Sequence, residues 1–118
     1  MSNTFFGVAI DCADAAAVAN FWAEALGREI ADHPTREHAV VLVDDAGVHG
    51  PRLAFHQVPE PKTVKNRVHL DFVTTEFDAE SDRLVSLGAE KVREVEQGDA
   101  RWTTFRDIEG NEFDLIAG

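Results

Sequence analysis

The sequence contains a single cysteine, Cys12, and therefore cannot form an intrachain disulfide. A chain without disulfides suits a reducing compartment, so we expect a cytoplasmic protein. No apolar run approaches the roughly 20 residues that a membrane-spanning helix needs. The first residues show no basic segment followed by an apolar stretch, so no signal peptide is predicted. The sequence also lacks a glycine-rich phosphate-binding loop.

Basic residues are scarce as well. Eleven lysines and arginines stand against 22 aspartates and glutamates, which gives a formal net charge of -11. Such a surface repels the phosphate backbone of nucleic acids and anionic membranes, so neither is an expected partner. Hydrophobic residues make up 44% of the 118 residues, which is enough for a packed core and argues against disorder. We therefore expect a single domain over residues 1–118.

The first half of the chain is predicted to form a strand, a helix and three further strands. Residues 4–11 alternate apolar with small or polar side chains, which is typical of a strand with one buried face. Asp14 and Gly27 are a good N-cap and C-cap for an apolar repeat of helical spacing, which predicts a helix over 14–26. Three strands are predicted at 28–31, 39–43 and 52–58, with turns at 45–47 and 50–51.

The second half repeats this order of elements. The spacing predicts a strand at 67–73, a helix at 76–87, strands at 91–95, 101–105 and 112–116, and a turn at 107–111.

The repeat is also visible in the residues. The pattern Phe6-Val8-Ile10 returns 62 positions later as Val68-Leu70-Phe72. The order of strand, glycine-ended helix and three strands returns with it, which predicts two units, of about 4–58 and 66–117.

Two tandem βαβββ units predict an α+β fold in which an eight-stranded sheet curls into a half-open cup with the helices outside. Successive strand residues point to opposite faces, so the large apolar residues face the helices and a polar set faces the cup. A polar concave face is typical of a ligand site, although a solvated face without a ligand gives the same pattern. The inward set comprises Gly7, Ala9, Asp11, Ala54, His56, His69, Asp71, Glu112 and Asp114.

Three segments carry a family resemblance: the helix 14–27 with Phe-Trp and Ala-Leu-Gly, the run 58–71 with Lys-Asn-Arg-Val-His-Leu-Asp, and the turn 107–113 with Asp-Ile-Glu-Gly-Asn-Glu-Phe. They resemble the glyoxalase-like and bleomycin-resistance-like proteins of the vicinal oxygen chelate superfamily. The resemblance implies paired βαβββ units and often a homodimer. Members of this superfamily include metal-dependent lyases, isomerases, dioxygenases and thiol transferases, and also drug-binding resistance proteins. The fold therefore does not decide the function.

The resemblance further implies a metal site with one inward ligand from each of four strands, here Gly7, Ala54, His69 and Asp114. Gly7 and Ala54 have no donor group, and two protein ligands are few for a stable site. His56 lies two residues from Ala54 on the same face and could complete a His56–His69–Asp114 set for a divalent metal ion. The loss of two ligands favours the alternative, a metal-free cup that binds an organic molecule directly.

The remaining candidate residues concern catalysis and ligand contact. His69 and Asp71 share a face, where the carboxylate could orient the imidazole as a general base near neutral pH. A plain structural hydrogen bond is the alternative. Trp102 would offer an aromatic wall for a planar ligand if it faces the cup, and would otherwise pack in the core.

A small basic cluster, formed by Lys62, Lys65 and Arg67, could meet an anionic substrate group or a partner, or be solvated. We expect a small-molecule lyase or isomerase in which His69 and Asp71 or Asp114 handle protons. A non-catalytic protein that sequesters a drug or metabolite is the second hypothesis, and a scaffold dimer without a ligand is the third.

Overall fold

A computed structural model describes residues 2–43 and 50–118 of the chain. The chain divides into two compact units, Met1–Pro61 and Lys62–Gly118. The described residues form two helices and seven strands, which confirms the predicted α+β class. The turn predicted at 45–47 lies outside the described residues. Within the described part of the chain, neither helix has the length and hydropathy to cross a membrane.

The first unit has a three-stranded sheet in the order β1-β3-β2 with one helix packed on it. Strand β1 runs parallel to β3, and β2 runs antiparallel to β3. The helix has the predicted caps: the Asp14 carboxylate accepts a hydrogen bond from the Ala17 N–H at 3.1 Å, and Gly27 ends the helix at φ 64°. The elements are β1 (Gly7–Cys12), α1 (Ala15–Leu26), β2 (His38–Val41) and β3 (Arg52–Gln57).

The first unit departs from the sequence prediction in its second strand. Of the strand predicted at 28–31 only a single bridge forms, between Ile30 and Val41. His33, at φ 64°, and the Pro34 that follows it turn the chain away before a longer ladder can form. The described residues therefore contain one strand fewer than the eight predicted.

The second unit shows the full strand-helix-strand-strand-strand order. Its four strands form one sheet in the order β4-β7-β6-β5, in which β4 and β7 are parallel and the other pairs antiparallel. The elements are β4 (Leu70–Thr74), α2 (Phe77–Ser86), β5 (Glu90–Gln97), β6 (Ala100–Arg106) and β7 (Glu112–Ala117).

An aromatic cluster forms the core of the second unit. Phe105 and Phe113 are 0% and 1% exposed, and their rings stack at 5.5 Å between centroids. Phe72 meets Phe113 edge-on at 6.1 Å. Buried apolar area of this kind is the main source of stability, at roughly 25 cal/mol per Å². Since these residues alternate along their strands with polar ones, the other face of the sheet is left for a site.

Thr103 is a polar residue inside this core. It is 0% exposed, and its hydroxyl finds no hydrogen-bond partner among the described residues. An unsatisfied buried hydroxyl costs roughly 1–3 kcal/mol, so we expect Thr103→Val to raise the free energy of unfolding by about 1 kcal/mol. Urea denaturation measures this change. The control is Thr104→Val, which removes a 2.6 Å hydrogen bond to Asp114 and should lower stability. A lower free energy of unfolding in Thr103→Val would show that the Thr103 hydroxyl does have a hydrogen-bond partner.

Candidate functional site

The register of the second sheet places three polar side chains in one row. Asp71 on β4 pairs with Asp114 on β7, which pairs in turn with Thr104 on β6. Directly paired residues point to the same side of a sheet. Phe105 and Phe113 occupy the alternate positions, so the row lies on the face opposite the aromatic core.

His69 immediately precedes β4 and joins this row. Its Nδ1 lies 3.0 Å from Asp71 Oδ1 and 3.9 Å from Asp114 Oδ2. The other oxygen of Asp114 accepts a 2.6 Å hydrogen bond from the Thr104 hydroxyl. The Asp114 side chain is only 17% exposed, whereas those of His69 and Asp71 are 46% and 52% exposed. Asp114 is thus a fixed support, and the His69–Asp71 pair faces solvent.

The geometry at His69 defines what the ring can do. Because Nδ1 faces two carboxylates, the hydrogen-bond geometry assigns the proton of the neutral ring to Nδ1. Nε2 then carries the lone pair and is the basic atom. A base that is held in this way can accept a proton from a bound molecule, and the two carboxylates stabilise the imidazolium that results.

The same three side chains form a possible metal-binding group. The ligand atoms of His69, Asp71 and Asp114 all lie within 4.8 Å of one another. One imidazole and two carboxylates suit a divalent first-row ion such as manganese or iron. This set differs from the predicted one, because Asp71 stands where the sequence argument used His56.

The residues predicted from the first unit have other neighbours there. His56 on β3 pairs with Asp11 and His38, and its ring lies 4.8 Å from that of His38. At Gly7 an added Cβ would lie 2.8 Å from Arg52 Cγ and 3.0 Å from the Arg52 carbonyl oxygen. A donor side chain at position 7 would therefore need its surroundings to shift. The role of His56 as a ligand or metal contact stays a prediction.

An apolar row lies beside the polar row. Trp102 on β6 pairs with Ile116 on β7 and with Val95 on β5, and Ile116 pairs with Val73 on β4. Trp102, Ile116 and Val73 each lie two residues from the member of the polar row on the same strand, a distance of about 6.8 Å. Trp102 is half-buried, whereas Val73 is 71% exposed. Trp102 thus lies on the face of the His69 group.

A charged row lies on the other side of the polar row. Glu112 pairs with Arg106 in the sheet, and the Lys65 ammonium binds the Glu112 carboxylate at 2.9 Å. The hydrogen bond from Lys65 lowers the pKa of Glu112, partial burial opposes this, and the charges of Lys65, Arg106 and Lys62 lower it further. Asn66 fixes the backbone, because its side-chain oxygen accepts from the Glu112 N–H at 3.1 Å.

The lowered pKa of Glu112 predicts a pH-dependent contribution of Lys65 to stability. A carboxyl whose pKa is lowered by folding stabilises the protein above its ordinary pKa of about 4.3, and this is lost as the pH falls through the lower folded value. We expect Lys65→Met to reduce the free energy of unfolding by about 0.5–1 kcal/mol near pH 7. The difference should vanish near pH 3 in urea denaturation. The exposed Lys91→Met is the control, and equal losses at both pH values would contradict the argument.

Sequence reasoning missed two residues of this face. Arg106 follows the alternation that places Trp102 and Thr104 on the polar side, so the strand pattern could have found it. Arg93 lies on the same face as the His69 group because of a register shift on β5, which the apolar–polar alternation of the sequence does not predict. In turn, Arg67, which was grouped with Lys62 and Lys65, is exposed and does not line the cleft that those two lysines form with Arg93, Arg106 and Glu112.

Comparisons with known proteins agree with this architecture. Residues 7–116 match the profile of the family described as the glyoxalase-like domain. A variant of the fosfomycin resistance protein FosX from Listeria monocytogenes, solved with Mn(II) and 1S,2S-dihydroxypropylphosphonic acid, has 20% identity and a TM-score of 0.79. That match covers 100% of this chain and 92% of the FosX chain.

Two further solved structures show the same likeness. FosX from Mesorhizobium loti has 17% identity and a TM-score of 0.76, over 100% of this chain and 94% of that one. The bleomycin-binding protein of Streptomyces verticillus, solved with copper(II)-bleomycin, has 23% identity and a TM-score of 0.66. That match covers 100% of this chain and 99% of the bleomycin-binding protein. No curated protein matches the sequence. At these identities the structural matches show the fold.

Proposed function

This chain belongs to the glyoxalase-like domain family, and from that premise we propose that it binds a small organic molecule and transfers a proton on it, as a lyase or an isomerase. The observation that supports this is the His69 ring, whose Nδ1 makes a 3.0 Å contact with Asp71 and lies 3.9 Å from Asp114. A solvated sheet face has no need of a half-exposed imidazole fixed in one orientation.

The proposed chemistry uses the lone pair on His69 Nε2. This atom takes a proton from a carbon or hydroxyl of the substrate, and the electron pair that is released forms a new double bond. In an isomerase the proton returns to another atom of the same molecule. In a lyase it goes to the leaving group, whose bond to the substrate breaks. Asp71 stabilises the imidazolium meanwhile, and Thr104 keeps Asp114 in position.

Ligand contact is proposed for the apolar row next to the base. Trp102, Ile116 and Val73 would cover the apolar part of the molecule and hold its reacting carbon over His69. In this role Trp102 positions the ligand and does not take part in the chemistry. The homodimer that the resemblance implies also stays a proposal, and size-exclusion chromatography with light scattering tests it.

A divalent cation is an alternative to the general base at the same residues, because a His69 nitrogen that binds a metal ion cannot also accept the substrate proton. His69, Asp71 and Asp114 would hold it through one nitrogen and two carboxylate oxygens, the donor types that manganese accepts. When bound, the ion would supply Lewis-acid polarisation of a substrate oxygen. Elemental analysis of the purified protein, before and after dialysis against a chelator, tests for it.

The experiment that tests the function is an incubation of small hydroxy- and carbonyl compounds with the protein in D2O, followed by proton NMR. Proton transfer predicts deuterium uptake at one carbon of the substrate, or formation of a product. The second hypothesis, sequestration of a drug or metabolite, is favoured by the apolar row in which Trp102 is half-buried and Val73 is exposed. It predicts quenching of tryptophan fluorescence with neither deuterium uptake nor product, and that result would reject the catalytic proposal.

A further inference from the structure

Four of the eleven basic side chains converge on one cleft of the second unit. The cleft has a volume of about 610 Å3, and Lys62, Lys65, Arg93 and Arg106 line it together with Glu112. The chain as a whole carries a net charge of -11, so the cleft is a positive site on an acidic protein. A cleft in which one sign of charge predominates concentrates small ions of the opposite sign.

The ion pairs around the cleft leave part of this charge uncompensated. Lys65 binds Glu112 at 2.9 Å, and Arg106 binds Glu90 at 2.8 Å. Lys62 donates to the carbonyl of Val64, which is neutral. Within residues 2–43 and 50–118, neither Lys62 nor Arg93 forms an ion pair. Two positive charges therefore remain, and they match a dianion.

A β-bulge places Arg93 on the face of the proposed site. The pairing of β5 with β6 passes from Lys91–Phe105 to Arg93–Thr104 and leaves Val92 as the extra residue. Without the extra residue, Arg93 would pair with Thr103 and its side chain would lie on the same buried face of the sheet as Phe105. Bulges re-aim side chains in this way and occur often beside functional sites. Arg93 consequently stands next to Thr104, in the row of the His69 group.

The cleft lies next to the His69 group on the same sheet. Glu112 of the cleft and Asp114 of the group are two residues apart on β7, which corresponds to about 6.8 Å. The cations of the cleft reach this strand directly, because the Lys65 ammonium binds the Glu112 carboxylate at 2.9 Å and Arg106 is the sheet partner of Glu112.

We propose that the cleft binds a dianionic oxyanion, a group of the phosphate or phosphonate type, and that this group is the head of the molecule on which His69 acts. The identity of the head as part of the substrate rests on the proposed function, whereas binding of the anion does not. A ligand of this class has its charged end at Arg93 and Lys62 and its reacting atoms over His69.

Titration of the full-length, nitrogen-15-labelled protein with inorganic phosphate tests the binding. We expect saturable shifts of the backbone amides of the cleft residues, which sodium chloride weakens. Arg93→Gln should raise the Kd for phosphate about tenfold, and acetate, a monoanion, should bind about tenfold more weakly than phosphate. Lys62→Gln gives the same test if Arg93→Gln does not fold. Arg67→Gln, an exposed cation of the same segment outside the cleft, should bind phosphate as the wild type does.

Two results would overturn the anion site: the absence of saturable shifts, or unchanged binding in both the Arg93 and the Lys62 variants. A competition experiment separates this inference from the proposed function. Phosphate should inhibit deuterium uptake competitively. If phosphate binds but leaves deuterium uptake unchanged, the head-group assignment is wrong and the function stands. If phosphate binds and the protein catalyses no proton transfer on any compound, the function fails and the anion site stands.

Discussion

His69→Gln is expected to lower kcat for the proposed proton transfer by about 10²–10⁴-fold, the usual contribution of a positioned general base. Glutamine keeps the size and polarity of the side chain but cannot accept a proton at Nε2. Because His69 is 46% exposed and lies outside the aromatic core, the free energy of unfolding should change by less than about 0.5 kcal/mol. Turnover and urea denaturation on the same preparation measure the two effects.

Two companion variants define the origin of this loss. Asp71→Asn removes the charge that faces Nδ1, so we expect an intermediate loss of about tenfold or more in kcat with little change in KM. His33→Asn is the matched control, because His33 is exposed at φ 64° in the first unit, a conformation that asparagine tolerates. A His69→Gln enzyme with wild-type kcat would show that another residue is the base.

Asp107→Ala is expected to lower the free energy of unfolding by about 2–4 kcal/mol, because it removes the acceptor of two backbone hydrogen bonds. Asp107 is 4% exposed, and its Oδ1 accepts from the N–H groups of Glu109 and Asn111 at 2.9 and 3.0 Å. These bonds close the turn that leads into β7. Alanine would leave both N–H groups without this acceptor at a partly buried site. Urea denaturation measures the loss.

Asp107→Asn distinguishes the turn from a general effect of charge. Asparagine keeps the side-chain oxygen and should recover more than half of the stability that alanine loses. Both variants should retain the secondary structure seen by circular dichroism under native conditions. Equal losses for asparagine and alanine would mean that the charge of Asp107, and not its hydrogen bonds, supports the turn.

Much of the fold could be predicted from the sequence because the local signals agree with each other. Asp14 and Gly27 bound a helical apolar repeat, and the structure begins and ends α1 next to them. The tandem order of elements predicted the α+β class. The exception is the segment 28–31, where Ile30 bridges Val41 alone because the chain turns away at His33, whose left-handed conformation the sequence pattern does not predict.

The site could be predicted where strand alternation alone decides the face. Alternation correctly grouped Asp71 with Asp114, and the proximity of His69 to both follows from the parallel pairing of β4 and β7. It could not supply Arg93, because a bulge changes the face of every residue after it. The polar network of Asp114 with Thr104 also needed the register of β6.

The central claim is that Asp71 and Asp114 hold the His69 ring with its proton on Nδ1, leaving Nε2 as the reactive atom. Long-range proton–nitrogen NMR correlations of the histidine side chains, assigned with His69→Gln, report the tautomer of each neutral ring. We predict the Nδ1–H form for His69 at alkaline pH, and a larger share of the Nε2–H form in Asp71→Ala, which removes the acceptor at 3.0 Å. A wild-type His69 already in the Nε2–H form would contradict the mechanism.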